Sequence, residues 1–161
     1  MGTKDRIFYP KKELFCDGKE VNLEVPQIMG ILNVTPDSFY AESRTLKSKV
    51  LLRCEKMLKE GALFIDVGGQ STRPGAISVG AEEEIMRTVP VINTIVKNFP
   101  EVLVSIDTYS APVAEAAIDA GASIVNDVSG GNLDPNMFSL IAKYDVPYIL
   151  THMQGSPENM Q

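Results

Sequence analysis

Residue types that could do chemistry gather in five short segments, each placed just after an apolar run. They are Asn33-Val-Thr-Pro-Asp-Ser-Phe39, Asp66-Val-Gly-Gly-Gln-Ser-Thr-Arg-Pro-Gly75, Asp107-Thr108, Asn126-Asp127-Val128-Ser129-Gly130-Gly131 and His152-Met153. An ionised carboxylate offers acceptors only, so Asp107 suits a flat heterocycle with neighbouring N–H donors along one edge. Asn126 brings both a donor and an acceptor, which would complete recognition of a ring with mixed edges. Gly68 and Gly69 admit close backbone approach, while Thr72 and Arg73 add a hydroxyl and a permanent cation, a combination suited to a phosphate. The structural alternatives are a helix cap for Asp107 through Asx chemistry and a solvated surface position for Arg73. There is no Walker-type spacing and no Ser/His/Asp or Cys/His arrangement. The single histidine, His152, reads as a strand-end structural residue rather than a base. Five such rims together favour a ligand site, but the pattern by itself names no reaction.

Bringing these segments to one rim requires strands that all point the same way. Residues 27–33 form the first expected strand. The next helix carries Val50, Leu51, Cys54, Met57 and Leu58 at one-face spacing and is stopped by Gly61. Residues 63–67 form the second strand. A helix from about Ala81 follows, with Ile85, Val89, Ile92 and Val96 as its apolar face, Glu82, Glu83 and Glu84 complementing its positive end, and Pro90 predicting a kink. After a third strand at 102–107, Ser110 is the expected N-cap of a helix with Pro112 in its first turn, ending near Gly121. A fourth strand leads into Asn126-Asp127, Asp134-Pro135 opens a helix bearing Met137, Leu140, Ile141 and Tyr144, and 147–151 is a fifth strand.

Repeated strand–helix units with nearly all-apolar strands predict an α/β fold with a parallel sheet covered on both faces. Two closures fit, an open doubly wound sheet and a (β/α)8 TIM-type barrel, which typically needs ~250 residues. In either, ligands bind beyond the carboxyl ends of the strands. Upstream, 1–26 reads as an extension containing a β-hairpin around Asp17-Gly18, and 27–161 as the partial barrel. The chain closes on the polar stretch 153–161, a strand-to-helix connection with no helix after it, so truncation after about the fifth strand is expected.

Composition narrows the function classes. A chain of 161 residues with 44% hydrophobic residues can bury one good core. No apolar run approaches the roughly 20 residues of a membrane helix, and the first residues lack the apolar stretch of a secretory signal, so the cytoplasm is the expected compartment and no membrane partner is expected. Cys16 and Cys54, with one histidine, cannot make a zinc site of the usual spacing. A net charge of −6 without a Lys/Arg cluster gives no footprint for nucleic acid.

Met29-Gly-Ile-Leu-Asn-Val-Thr-Pro-Asp-Ser-Phe39 and Gly68-Gly-Gln-Ser-Thr-Arg-Pro-Gly75 resemble the two signature segments of dihydropteroate synthases. Ser105-Ile-Asp-Thr-Tyr109, Val125-Asn-Asp-Val-Ser-Gly-Gly131 and Thr151-His-Met-Gln-Gly155 resemble the segments that follow them in order. The resemblance, which runs from about Gln27 to the last residue, implies the (β/α)8 barrel. It also implies condensation of 6-hydroxymethyl-7,8-dihydropterin diphosphate with p-aminobenzoate, releasing diphosphate in the presence of Mg²⁺. It assigns pterin binding to Asp107 and Asn126, with Val128 and Met153 lining that pocket, and diphosphate and metal contact to Asn33. Thr72 and Arg73 fall in the second loop, Phe39 and Pro74 enclose p-aminobenzoate, and sulfonamides compete there. A homodimer is implied for the full-length parent. The family mechanism is dissociative: diphosphate leaves, and a ring-stabilised methylene cation is captured by the amine, so no side-chain nucleophile is needed.

Two departures qualify the match. The first loop continues as Phe39-Tyr-Ala-Glu-Ser43, with Ala41 where the family often has an aspartate and Glu42 as a candidate substitute. The family's later aspartate, lysine, arginine and histidine have no counterpart here, so the chain alone is expected to be inactive. Two other readings stay open: a pterin-binding methyltransferase domain that donates a folate methyl group, and a non-catalytic binding or assembly module.

Overall fold

The computed structural model describes residues 12–34, 43–70 and 79–152, without the side chains of 43–46. Phe39, Ala41, Glu42, Thr72, Arg73, Pro74 and Met153 lie outside the described residues. The chain begins with β1 (Glu13–Cys16) and β2 (Lys19–Asn22), then β3 (Ile28–Asn33), α1 (Ser43–Lys59), β4 (Ala62–Gly68) and α2 (Ala81–Asn98). It continues with β5 (Leu103–Asp107), α3 (Ala111–Asp119), β6 (Ile124–Asp127), α4 (Met137–Tyr144) and β7 (Tyr148–Leu150).

The strands β3 to β7 form one parallel sheet in the order in which they occur in the chain. That order decides between the two closures. A doubly wound sheet needs a point where strand order reverses so that helices cover both faces. Right-handed crossovers that always advance in one direction put every helix on the same face. The described sheet therefore has the strand order of successive barrel staves, five of them, and its other face is the barrel interior.

Side-chain alternation sorts the residues onto the two faces. Leu32, Ile65, Val67, Val104, Ile106 and Val125 point outward and pack with Val50, Cys54, Val91, Ile92, Ile95, Val113, Ala114, Ala117, Met137 and Leu140 of the helices. Phe64, Leu103 and Ile124 point inward near the amino ends of their strands, where Cys16 and Val21 of the hairpin cover them. Each such fully buried side chain contributes about 1.5–3 kcal/mol. The hairpin thus seals the lower end of the inner face. Its two-residue turn is allowed because Asp17 and Gly18 both hold positive φ, 51° and 69°.

The expected face of α2 is corrected. The most deeply buried residues are Glu84, Thr88, Val91, Ile92 and Ile95, whereas Ile85, Val89 and Val96 are only half-buried on its flank. Glu84 is not a solvated partner of the helix dipole. It sits against Gly69, with the Thr108 hydroxyl near enough to favour its ionised form, and Thr88 Oγ1 donates to Glu84 O at 2.8 Å. The helix runs through Pro90 without interruption. The N-cap of α3 is also modified: Ser110 occupies the position but makes no side-chain cap bond. The Ala111 N–H donates instead to Asp134 Oδ2 at 2.8 Å, while Asp134 Oδ1 accepts from Asn136 N at 2.9 Å. One carboxylate thereby serves the starts of two helices, which holds its pKa below the ordinary carboxylate value.

Candidate functional site

Four of the expected site residues lie at the carboxyl ends of adjacent strands. Asn33 ends β3, Asp107 ends β5, Asn126 is the third residue of β6, and Val128 follows β6 in a tight turn. The register places Asn33 beside Gly68, Gly68 beside Asp107 and Asp107 beside Asn126. Alternation turns all four positions to the inner face, one layer above Ile31, Asp66 and Ser105. The strand ends are tied by further backbone bonds, Val34 N to Gly68 O at 2.7 Å and Thr108 N to Asn126 O at 3.0 Å.

Gly68 is the floor between two of these side chains. A Cβ built on it would stand 3.2 Å from Asn33 Oδ1 and 3.4 Å from Asp107 Oδ2. Below it, Asp66 is buried and accepts from Asn126 Nδ2 through Oδ2 at 3.0 Å. Asp66 Oδ1 and Ser105 Oγ are the two buried side-chain polar atoms without a well-formed hydrogen bond among the described residues. The Ser105 hydroxyl is nonetheless near enough to favour the ionised carboxylate, although the pair falls short of good geometry.

The electrostatics of this layer are dominated by buried acids. Burial raises the Asp66 carboxyl, against the opposing pull of Ser105 and Asn126. Burial likewise raises Glu84, opposed by the Thr108 hydroxyl and the Arg87 charge. Asp107 is pushed up to about 7, first by burial and then by the negative charges of Asp66, Glu84 and Asp127. A carboxyl so poised gains most from a ligand that brings N–H donors to it.

The fourth segment owes its shape to Asp127. Its Oδ1 accepts from Ser129 N at 2.7 Å, and its Oδ2 accepts from Gly131 N at 3.0 Å and from the Tyr148 hydroxyl at 2.7 Å. Gly130 and Gly131 supply the positive φ values the turn requires, 59° and 81°. Asp127 is therefore a fully engaged turn organiser, and it holds half-buried Val128 at the rim. The root of the second loop is fixed by Arg87 Nη1, which donates to Gly69 O at 2.9 Å, and by Val79 N, which donates to Gln70 Oε1 at 3.0 Å. His152 is exposed.

The structure thus brings Asn33, Asp107, Asn126 and Val128 to one rim. Phe39, Thr72, Arg73, Pro74 and Met153 belong to segments outside the described residues. Asp66, quoted only as the start of the second segment, and Glu84, read only as a dipole partner, were assigned no site role from the sequence. Asp66 sits one layer below the rim, and Glu84 sits on a helix whose acids looked like dipole partners. The signal that could have found Asp66 is a charged residue inside an otherwise apolar strand, which is rarely buried without a partner.

Residues 29–161 match the family described as Pterin binding enzyme. The chain is 55% identical over 128 residues to dihydropteroate synthase of Streptococcus pyogenes serotype M1, covering 79% of this chain and 48% of that protein. It is 50% identical over 133 residues to the folic acid synthesis protein fol1 of Pneumocystis carinii, covering 83% of this chain and 18% of that one. Among solved structures, the Yersinia pestis dihydropteroate synthase with a sulfonamide drug complex superimposes with a TM-score of 0.81 at 41% identity, over 91% of this chain and 53% of that one. The Xanthomonas albilineans dihydropteroate synthase with 4-aminobenzoic acid gives 0.80 at 38% identity, over 89% and 53%. The chain spans about half the length of the dihydropteroate synthases it matches. With its ordered motifs, its barrel strand order and its match over most of its length, the chain belongs to the pterin-binding enzyme family.

Proposed function

We propose that the whole protein is a dihydropteroate synthase, joining a dihydropterin diphosphate to p-aminobenzoate with release of diphosphate. The observation that carries this reading is the rim formed by Asn33, Asp107 and Asn126 around Gly68, with the half-buried Asp107 carboxyl pushed up to about 7. Asp107 accepts from ring N–H groups, Asn126 pairs with a mixed edge, and Val128 gives the ring an apolar wall. Asn33, at the outer edge of the same rim, faces the leaving group. The donors around Gly68 are oxygens, and no group of three His, Cys, Asp or Glu among the described residues is arranged to cage an ion. That fits Mg²⁺, which keeps most of its ligands as water and substrate phosphate oxygens. Asn33 would supply one oxygen, and the bound ion would offset the charge of the departing diphosphate. Thr72 and Arg73 at the phosphate, Phe39 and Pro74 at p-aminobenzoate, and Met153 at the pterin complete the reading on the motif resemblance alone.

The carboxyl-end site needs the rest of the barrel to exclude water from the cation that diphosphate departure leaves. The activity accordingly belongs to the full-length protein, read as a cytoplasmic homodimer, with the 161-residue chain alone inactive. Buried, unbridged Cys16 and Cys54 agree with a reducing compartment. The test is a coupled assay of the full-length protein with dihydropterin diphosphate, p-aminobenzoate and Mg²⁺. Diphosphate release that depends on all three is expected. Release that fails, with methyl transfer from methyltetrahydrofolate instead, would move the protein to the methyltransferase reading.

A further inference from the structure

The hydrogen bond between Asn126 Nδ2 and Asp66 Oδ2, 3.0 Å long, spans from β6 to β4 across β5 and passes beneath Asp107. An asparagine amide has two orientations that exchange its oxygen and nitrogen, and each shows a ligand the reverse order of donor and acceptor. Only one of them is compatible with Asp66. With the NH2 group toward the carboxylate a charge-assisted hydrogen bond forms, and with the oxygen toward it two acceptors face each other at a buried position. Asp66 is 4 % exposed and Ser105 is 0 % exposed, so bulk water does not relieve the second arrangement. Asp66 is itself locked in place, lying in mid-strand between Ile31 and Ser105.

We infer that Asp66 is a positioning and specificity residue: it fixes the Asn126 amide so that Oδ1 and the second N–H meet the ligand in one order, which selects the donor–acceptor sequence of the bound heterocycle. Ionised Asp107 contributes acceptors only and cannot read that order. The discrimination therefore resides in Asn126, and its sense is set from below by a residue that need not touch the ligand. The Ser105 hydroxyl, buried beside Asp66 and favouring its ionised form, marks the same layer as built around a carboxylate rather than around packing. The inference rests on the pterin reading only for the choice of ligand.

The test uses the full-length protein and its Asp66→Asn variant, which keeps the side-chain volume but lets residue 66 pair with either orientation of Asn126. Two probes are titrated calorimetrically: pterin, and isopterin, in which the amino and oxo groups of the pyrimidine ring are exchanged. In the wild type pterin is preferred, and in the variant the pterin-to-isopterin affinity ratio falls about tenfold or more, the scale of one charge-assisted hydrogen bond. An equal loss for both probes, or no loss, would reduce Asp66 to a structural role and overturn the inference. A second measurement needs no ligand. With asparagine labelled by ¹⁵N, one Asn126 side-chain proton of the wild type resonates downfield and exchanges slowly, and this signature disappears in Asp66→Asn. Its absence from the wild type would overturn the inference even if both probes bind. Failure of the wild type to bind either probe would instead refute the pterin reading and leave the amide spectrum to decide the orientation.

Discussion

Asn33 Oδ1 and Asp107 Oδ2 converge above Gly68, so near its Cα that an added methyl group would stand 3.2 Å from the first and 3.4 Å from the second. Two strand ends separated by a whole stave thus share one small surface. Gly68→Ala is expected to displace the Asn33 amide or the Asp107 carboxylate by a few tenths of an ångström. The fold absorbs that shift, because both atoms end side chains, but the ligand geometry does not. Denaturation is expected to show a loss of about 1 kcal/mol or less, while pterin affinity falls about tenfold or more. A variant with native affinity would show that the rim does not bind there.

The neighbouring glycine answers differently. A Cβ on Gly69 would lie 2.8 Å from both Glu84 Cγ and Thr88 Cγ2 and 3.2 Å from Glu84 O, and the helix backbone cannot retreat. Gly69→Ala is expected to cost about 1–3 kcal/mol of stability through overpacking, measured by urea denaturation. Glu84→Gln retains the shape and the Thr108 contact and removes one of the charges that raise Asp107. The Asp107 pKa is expected to fall in that variant.

Protonation couples the site to the fold. The Asp107 carboxyl is raised from 3.8 to about 7, so its protonated form favours the folded state. That contribution is complete below the ordinary value, declines as pH rises through the interval and is gone above about 7. Asp107→Asn stays neutral throughout. Between about pH 4 and pH 8 the wild type is expected to lose about 1–3 kcal/mol relative to the variant, read from paired denaturation curves. Ligand affinity runs the opposite way: N–H donors need the ionised carboxylate, so pterin binding strengthens as pH rises toward 7 and levels off above it.

Strands and helix ends were the legible part of the sequence. Their signals are local: largely apolar runs for β4 and β5, a short Ile124-Val125 pair for β6, and Gly61 and Gly121 as stops with φ of 100° and 106°. The rim segments were legible as a set because strands of one direction must bring their carboxyl ends together, Asp107 and Asn126 stood out there by their chemistry, and Asn33 and Val128 were assigned through the motif resemblance. What escaped depends on contacts between distant residues. The buried face of α2 is carried by Glu84 and Thr88, polar residues that an apolar periodicity passes over. The acceptor for Ala111 N comes from Asp134, 23 positions away in sequence, and not from Ser110. Asp66 gains its meaning only when Asn126, 60 positions later, arrives two strands away.

Asp134 offers a stability test far from the ligand rim. Asp134→Ala removes the acceptor for both Ala111 N and Asn136 N. A loss of about 0.5–2 kcal/mol is expected near neutral pH, as for other helix caps. Because the Asp134 pKa is lowered in the fold, its contribution is present above 3.8 and disappears as pH falls through the folded value. The difference between variant and wild type is expected to vanish in acid, with turnover unchanged at neutral pH.

The central claim is that Asp107 receives the N–H edge of a pterin. Calorimetric titration of 6-hydroxymethyl-7,8-dihydropterin into the full-length protein and its Asp107→Asn variant tests it most directly. The variant exchanges a charged acceptor pair for one acceptor and two donors, at a cost of about 1.5–3 kcal/mol. Pterin affinity is therefore expected to fall by roughly tenfold to a hundredfold, while p-aminobenzoate affinity changes far less. Unchanged pterin affinity in a folded variant would contradict the account and leave Asp107 as a structural residue at the end of its strand.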